Sequence, residues 1–445
     1  MFGYYVKLAA RSLGRSRGIT ALMVLAVALG IAVCVITLTV HHGMSSNPIW
    51  WKNDRLYAVT LDSWDPERPA NAKQPALPPP DLTWRDAAAI TRSDIPQRSV
   101  RMYKSVGVLS AGDPASKARP EQVLARVTTA DFFAMFEVPF RYGGGWKSAA
   151  DTGPEPVVVL SEAMNEHFFG GADSVGKTIR WDDREYRVIG VLDHWHPAPK
   201  FYDVNNGAFD DPEDIYIPFG WSEALELRSA GNTNCWKPEN IQSVADFLRS
   251  ECVWIQAWVE LPDAAARARM QAYLDNYVAG ERRNGRFQRP DNNRLTPVDQ
   301  WLADNEVVGN DSPMLVALAF AFFTVCLINT VGLLLAKFLG NASITGVRRA
   351  LGASRRQVFL QHLTEAGLLA TVGAVLGIVL AVGGLWALRV MYASPSGAGF
   401  TGLMHVDAWS LMVTVALAVG ASLAAGLYPA WRVGRLAPAV YLKSQ

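Results

Sequence analysis

The sequence has almost no net charge, few cysteines and, over long stretches, no charged side chain at all. Forty-two lysines and arginines stand against 41 acids, a formal charge of +1 over 445 residues. A nucleic-acid binder would show a strong basic excess, so that class is excluded. Met314–Ala336 and Gly367–Leu388 carry no acidic or basic residue. A bilayer core of about 30 Å takes about 20 helical residues to cross, so each run is long enough to span. Acids are also missing between Lys337 and Gln357, where Lys337, Arg348, Arg349, Arg355 and Arg356 all stand. Basic residues accumulate in short cytoplasmic loops, which places this loop inside the cell. Two further apolar blocks, Ile19–Val40 and Leu411–Leu427, lie toward the two ends. Four such blocks around a polar middle read as an integral membrane protein.

The four cysteines divide by compartment. Cys34 and Cys326 fall inside apolar runs, where a lone thiol acts as a small apolar side chain. Cys235 and Cys252 fall in the polar middle, with no histidine between or beside them. That argues against zinc, and in an oxidising compartment such a pair is expected to form a disulfide.

In chain order, residues 1–17 read as an amphipathic interfacial helix. Lys7, Arg11 and Arg15 form one stripe, with Phe2, Tyr5, Val6 and Leu13 free to face lipid. Residues 18–41 read as a first span, too long for the apolar core of a signal peptide. Residues 42–312 must then lie outside. The run Pro78-Pro-Pro80 marks a stiff loop. Strand-like stretches follow at Val100–Leu109, Val123–Val127, Val157–Leu160, Thr178–Trp181, Tyr186–Leu192 and Val253–Leu261. Helical patterns at Glu162–Phe169 and Ala264–Val278 make this a mixed α+β domain. Spans at 313–339, 355–392 and 408–428 complete a four-helix membrane part. Residues 340–354 form a cytoplasmic loop and 429–445 a basic cytoplasmic tail.

Two motifs in the outer domain are weighed and set aside. Gly171-Ala-Asp-Ser-Val-Gly-Lys-Thr178 satisfies the P-loop pattern. A working P-loop needs a strand before it and a helix after it. Here a helical pattern precedes, and a hairpin turning at Asp182-Asp183 follows. No ABC signature sequence and no acid-ended strand for magnesium accompany it. His194 and His196 beside Asp193 share one face of an extended segment but lack a third ligand. No catalytic constellation is evident, so the chain is expected to be non-catalytic.

The loop at 340–354 has internal structure. Ser354-Arg-Arg-Gln357 fits a capping box that would start the next helix at Arg355. Gly352 is placed to stop a short helix over Ala342–Leu351. A short helix joined rigidly to two spans is a lever. In the spans, Gly373 and Gly377 make a G-x-x-x-G pair, and Ala416, Gly420 and Ala424 continue the small residues, a pattern that allows close helix packing within one chain or between two. Glu365 is an acid at the edge of a span, for which an interfacial helix-packing role is expected.

Thr345-Gly-Val-Arg-Arg-Ala-Leu-Gly-Ala-Ser-Arg-Arg-Gln357 resembles the loop between the second and third spans of MacB/FtsX-type ABC transporter permeases. Thr129-Ala-Asp-Phe-Phe-Ala-Met-Phe-Glu-Val-Pro-Phe140, Val157–Glu162, Phe168–Ile179 and Tyr186–Val191 resemble successive segments of the MacB-like periplasmic core domain. Tyr428-Pro-Ala-Trp-Arg-Val-Gly-Arg resembles the family's closing motif, with Ala437 and Tyr441 where an acid and an alanine are common. The resemblance implies a large α+β periplasmic domain, with a porter-like subdomain and an inserted β-rich one over about Val100–Asp214. It implies that Thr345, Gly346, Val347, Arg348, Arg349, Ala350, Leu351, Gly352 and Ala353 couple the spans to a cytoplasmic ABC ATPase. ATP and magnesium would bind that separate subunit, and no cofactor would bind this chain. It further implies a dimer with a second copy or a paralogue in the bacterial inner membrane, both termini cytoplasmic. A periplasmic adaptor and an outer-membrane duct join the candidate partners. Ile344 replaces the family's usual acid, which points to a heterodimer. The implied work is efflux or export of a periplasmic substrate. The alternative is FtsX-like mechanotransmission to an extracytoplasmic enzyme or signalling partner.

Overall fold

The computed structural model describes residues 2–113, 116–309, 311–340, 347–349, 351–392, 412, 416, 419–420 and 426–431. The chain divides into two compact units: Ser46–Val307, and the helices that precede and follow it.

The Ser46–Val307 unit is built on a ten-stranded sheet. Its strands in chain order are β1 (Leu56–Thr60), β2 (Arg98–Ala111), β3 (Glu121–Thr128), β4 (Phe140–Gly143), β5 (Val157–Leu160), β6 (Thr178–Trp181), β7 (Arg184–Leu192), β8 (Ile215–Pro218), β9 (Gln256–Glu260) and β10 (Arg294–Pro297). The spatial order is β10-β1-β9-β2-β3-β8-β5-β7-β4, with β6 bridging β2 and β7. β3–β8 and β5–β7 are parallel pairs; the others are antiparallel. The 14-residue β2 joins the two ends of the sheet. Its first part, Arg98–Met102, pairs with β9, and its last part, Leu109–Ala111, with β6. The porter-like and inserted regions expected from the sequence thus share one continuous sheet through β2 and β3.

Side-chain alternation accounts for three cores. Successive residues of a strand point to opposite faces. Leu56, Ala58, Val100, Met102, Val157, Val159, Tyr216 and Trp258 all enter one aromatic-rich core on one face. Their neighbours enter two cores on the other face. Tyr57, Val59, Tyr103, Val127 and Val259 pack under α8 (Ala264–Arg283). Leu109, Val123, Ala125, Val158, Leu160 and Ile217 pack under α5 (Glu162–Phe169). A sheet covered on both faces has strands that read as unbroken apolar runs, as Val157–Leu160 and Ile215–Ile217 do. β1, β4, β8 and β10 are too short or too uniformly apolar to show alternation, and the sequence reading passed over them. The expected strand at Val253–Leu261 is a ladder only over Gln256–Glu260; Val253 and Ile255 make single bridges to Asn234 and Leu82. The expected hairpin is present, with Trp181 paired to Arg184 around Asp182 at φ +50°.

The other unit contains α1 (Phe2–Arg15), α2 (Arg17–Ser45), α10 (Asp311–Gly340) and α11 (Arg355–Tyr392). Among the described residues three helices are long and apolar enough to cross a membrane, and these are α2, α10 and α11. The fourth expected span, 408–428, lies largely outside the described residues, as does the tail. α11 rests on α2 through glycines. A Cβ on Gly373 would come within 2.8 Å of the Val27 side chain, and one on Gly377 within 2.9 Å of the Ala28 carbonyl and of Ile31. α10 meets α2 where Gly30 faces Phe323. For Gly420, expected to share in such packing, no described residue comes within 4 Å of the position a Cβ would take. Leu13 of α1 is partly buried against the Met23–Leu334–Phe338–Ala366–Leu369 cluster.

Candidate functional site

The seven described residues of the basic loop between α10 and α11, 347–349 and 351–354, are held in a defined conformation. Val347–Arg349 are helical. The helix closes by amide donation from Leu351 to the Val347 carbonyl (3.0 Å), from Gly352 to Arg349 (3.2 Å) and from Ala353 to Arg348 (3.1 Å). Gly352 ends it at φ +101°, a conformation that an L side chain resists. Ser354 and Gln357 then cap α11 reciprocally. The Gln357 amide donates to Ser354 Oγ at 3.2 Å, and the Ser354 amide to Gln357 Oε1 at 2.9 Å. Thr345, Gly346 and Ala350 lie outside the described residues.

Side chains tie this loop to the helices. Arg348 Nη1 donates to Gln361 Oε1 at 2.7 Å. Val347 and Leu351, four residues apart and so on one helical face, are 47% and 83% exposed. One turn beyond Gln361, Glu365 is buried among three helices. Its Oε1 lies 2.7 Å from Lys337 Nζ on α10 and accepts a 2.8 Å bond from Ser12 Oγ on α1. His362 Nδ1 is 3.8 Å from its other oxygen. A buried charge is tolerated when it is paired and hydrogen-bonded. The sequence marked Glu365 for helix packing but not its partners, because Lys337 and Ser12 lie on other helices. Gln357, Gln361 and Glu365 recur at intervals of four along α11, and that spacing was the readable signal.

The ectodomain has its own buried charges. Arg126 of β3 pairs with Asp203 at 2.5 Å and with Glu213, and all three are fully buried. Lys200 Nζ lies 3.3 Å from Glu213, which also accepts from Tyr202. Burial would raise the Glu213 carboxyl, but Arg126 and Lys200 hold it well below the ordinary carboxylate range. Nearby, Asp81 is pushed up to about 7, by burial first and by the Asp203 charge, against hydrogen bonds from Gln256 and Asn205. No sequence spacing links these residues.

The other motifs resolve as structural. The P-loop-like stretch runs from α5, closed by Gly170 at φ +62°, into β6, and no helix follows it. Its Ser174 is buried and donates to Asn165 at 2.6 Å, and Lys177 lies over the Phe169 ring. His196 pairs with Asp211 at 2.5 Å, whereas His194 is exposed and 3.7 Å from Glu162. Among the described residues no three metal-ligating side chains converge. Cys235 and Cys252 are joined in a disulfide, with Cα atoms 4.2 Å apart.

These features define an integral membrane protein of the permease class, in which apolar helices and a capped basic loop carry a mixed α+β periplasmic domain. The chain belongs to the MacB/FtsX-like ABC transporter permease family. Residues 20–277 match the MacB-like periplasmic core domain and residues 316–438 the FtsX-like permease C-terminal domain. It is 24% identical to the pyoverdine export ATP-binding/permease protein PvdT of Pseudomonas syringae pv. tomato, over 96% of this chain and 57% of that protein. It is 27% identical to the macrolide export ATP-binding/permease protein MacB of Rhodopirellula baltica, over 63% and 40%. The chain spans about half the length of the curated relatives it matches. The periplasmic region of MacB from Actinobacillus actinomycetemcomitans aligns over 59% of this chain and 96% of that one, at 12% identity and a TM-score of 0.37.

Proposed function

We propose that this chain is the membrane subunit of an ATP-driven MacB-like exporter, and that residues 345–353 are where a cytoplasmic ATPase pushes on it. The observation that carries this reading is the construction of the loop. Val347 and Leu351 stand exposed together beside Arg348, Arg349, Arg355 and Arg356. Covering such apolar side chains is favourable, and arginines pair well with a partner's carboxylates. Load applied there passes through the capping box and the Arg348–Gln361 bond into α11. From α11 it reaches α10 and α1 through Glu365, and α2 through the glycine contacts.

In this reading Leu411–Leu427 supplies a fourth span, and both termini lie in the cytoplasm. The Ser46–Val307 unit faces the periplasm from the inner membrane. Two permeases, a pair of copies or a copy with a paralogue, close together when ATP and magnesium bind the ATPases. In this reading ATP is not bound by the P-loop-like stretch, whose preceding helix and following hairpin do not suit a nucleotide site. The names of the relatives support export as the work done, with an adaptor and an outer-membrane duct as candidate partners.

The test replaces Arg348 and Arg349 with Glu, and separately Leu351 with Asp, in the tagged chain in its native membrane. Co-purification of an ATP-binding protein should fall at least tenfold, with the ectodomain's near-ultraviolet circular dichroism unchanged. An ATPase that stays bound and hydrolyses at wild-type rate would overturn the reading. Recovery of a hydrolase or kinase with the ATPase would replace export with mechanotransmission.

A further inference from the structure

We infer that the ectodomain binds a small, neutral, hydroxyl-rich ligand of about one or two sugar units, in a cavity between the β1–β10 edge, α9 (Val298–Asp304) and the proline-rich turn at residues 70–80. The site is independent of the ATPase reading and of the basic loop. The cavity holds about 320 Å³, at the lower end of the range for small-molecule sites.

Each wall is fixed by the sequence. In the ladder Thr60 lies opposite Arg294, and Thr296 is two residues further along the same strand. Period-two alternation therefore puts all three on one face, as the floor. α9 supplies Trp301, which is 5% exposed, packs into the aromatic core and donates its Nε1 to the Phe201 carbonyl at 3.0 Å, so it closes the cavity from the core side. Pro75 and Pro78-Pro-Pro80 stiffen the facing turn. That turn is tied to the floor because the Ala76 carbonyl accepts from both Arg294 (2.6 Å) and Asn292 (2.9 Å). A cavity with a clamped roof is preorganised, so little ordering cost remains for a ligand.

The lining chemistry selects the ligand. Besides the floor hydroxyls it offers the carboxamides of Gln74, Asn205 and Asn305 and the carboxylate of Glu306. Gln74 donates its amide nitrogen to Glu306 at 3.0 Å, while its Oε1 is buried without a partner. A buried acceptor left unpaired costs about 1–3 kcal/mol, so a turn of the Gln74 carboxamide that brings Oε1 to a ligand donor is favoured. An apolar ligand would strand these groups. An anion would meet Asp304 and Glu306 against the single Arg294. Carboxamides and carboxylates each present two polar atoms at a spacing that fits vicinal hydroxyls. Glu306 precedes the first residue of α10 by five positions, so a ligand held here is held on the segment leading directly into that helix.

Saturation-transfer NMR on the full chain in lipid nanodiscs tests this; sugar-headed detergents would compete. The probes are N-acetylglucosamine, its β-1,4 disaccharide, glucose 6-phosphate and the dipeptide Ala-Ala. Saturable binding of a neutral sugar is expected, weaker for the phosphate, and reduced at least tenfold by Gln74→Leu or Thr296→Val. Both variants should melt within a few degrees of the parent, which separates lost binding from lost fold. No saturable binding of either neutral sugar, binding untouched by both variants, or tighter binding of the dipeptide would each overturn the proposal.

Discussion

Lys337 on α10 and Glu365 on α11 stand 2.7 Å apart with both side chains almost wholly buried, and Ser12 of α1 completes the cluster. One group thus ties three helices together, one turn from the residue that receives Arg348. Removing one partner of a buried pair strands the other's charge, at a cost of about 3–5 kcal/mol. Lys337→Met alone should therefore lower the unfolding midpoint sharply, and Lys337→Met with Glu365→Leu should restore much of it. Thermal melts of the purified chain in nanodiscs check this; a double variant no better than the single would refute the pairing argument.

The α11–α2 contact gives a second expectation. Gly377 has the Ala28 carbonyl and Ile31 where a side chain would go, whereas Gly383 meets none of the described residues there. Gly377→Leu should destabilise by about 1–3 kcal/mol, the usual cost of overpacking. Gly383→Leu should be tolerated. Equal melting temperatures for the two variants would mean that α11 does not rest on α2 through this face.

Acid–base behaviour in the ectodomain follows from Asp81. Its folded-state value of about 7 lies above the ordinary aspartate value of 3.8, so at pH values between the two the folded state holds a proton that the unfolded chain has lost. The stabilisation is therefore fully present below about pH 4 and is lost as pH rises through 7. Asp151 and Asp214, each pushed up to about 6 chiefly by burial, act in the same direction. Glu213, held low by Arg126 and Lys200, acts oppositely but only as pH falls below about 4.5. Denaturant titrations between pH 5 and 8 should show stability falling with pH, and Asp81→Asn should flatten that slope. A slope unchanged in the variant would remove Asp81 as its source.

The disulfide closes a loop across 17 residues. Constraining a loop of that length in the unfolded chain contributes about 3 kcal/mol. Cys235→Ser should lower the ectodomain midpoint by a corresponding amount, and the parent should take up two fewer alkylating groups before reduction than after. Full alkylation of the unreduced periplasmic chain would exclude the bond.

Much of the fold was legible in order along the chain, wherever a local rule sufficed. β5, β6 and α5 fall where apolar runs and the turn at Asp182-Asp183 put them. The Gly352 stop and the Ser354–Gln357 box are local hydrogen-bond patterns, so residues three or four apart already specified them. The short strands β1, β4, β8 and β10 were not legible because, unlike β5 with its run of three valines, they are defined by pairing with strands far along the chain.

By itself, then, the sequence determined the membrane class, the mixed ectodomain, the capped basic loop and the unsuitability of the P-loop-like stretch. Each of these depends on charge, length or neighbours close in the chain. Only the tertiary structure decided that Glu365 meets Lys337 and Ser12, that Arg126 sits between Asp203 and Glu213, and that Thr60, Gln74 and Trp301 line one cavity. Those groups are separated by tens to hundreds of residues. Electrostatic pairing and cavity shape act through space, and no spacing along the chain encodes them.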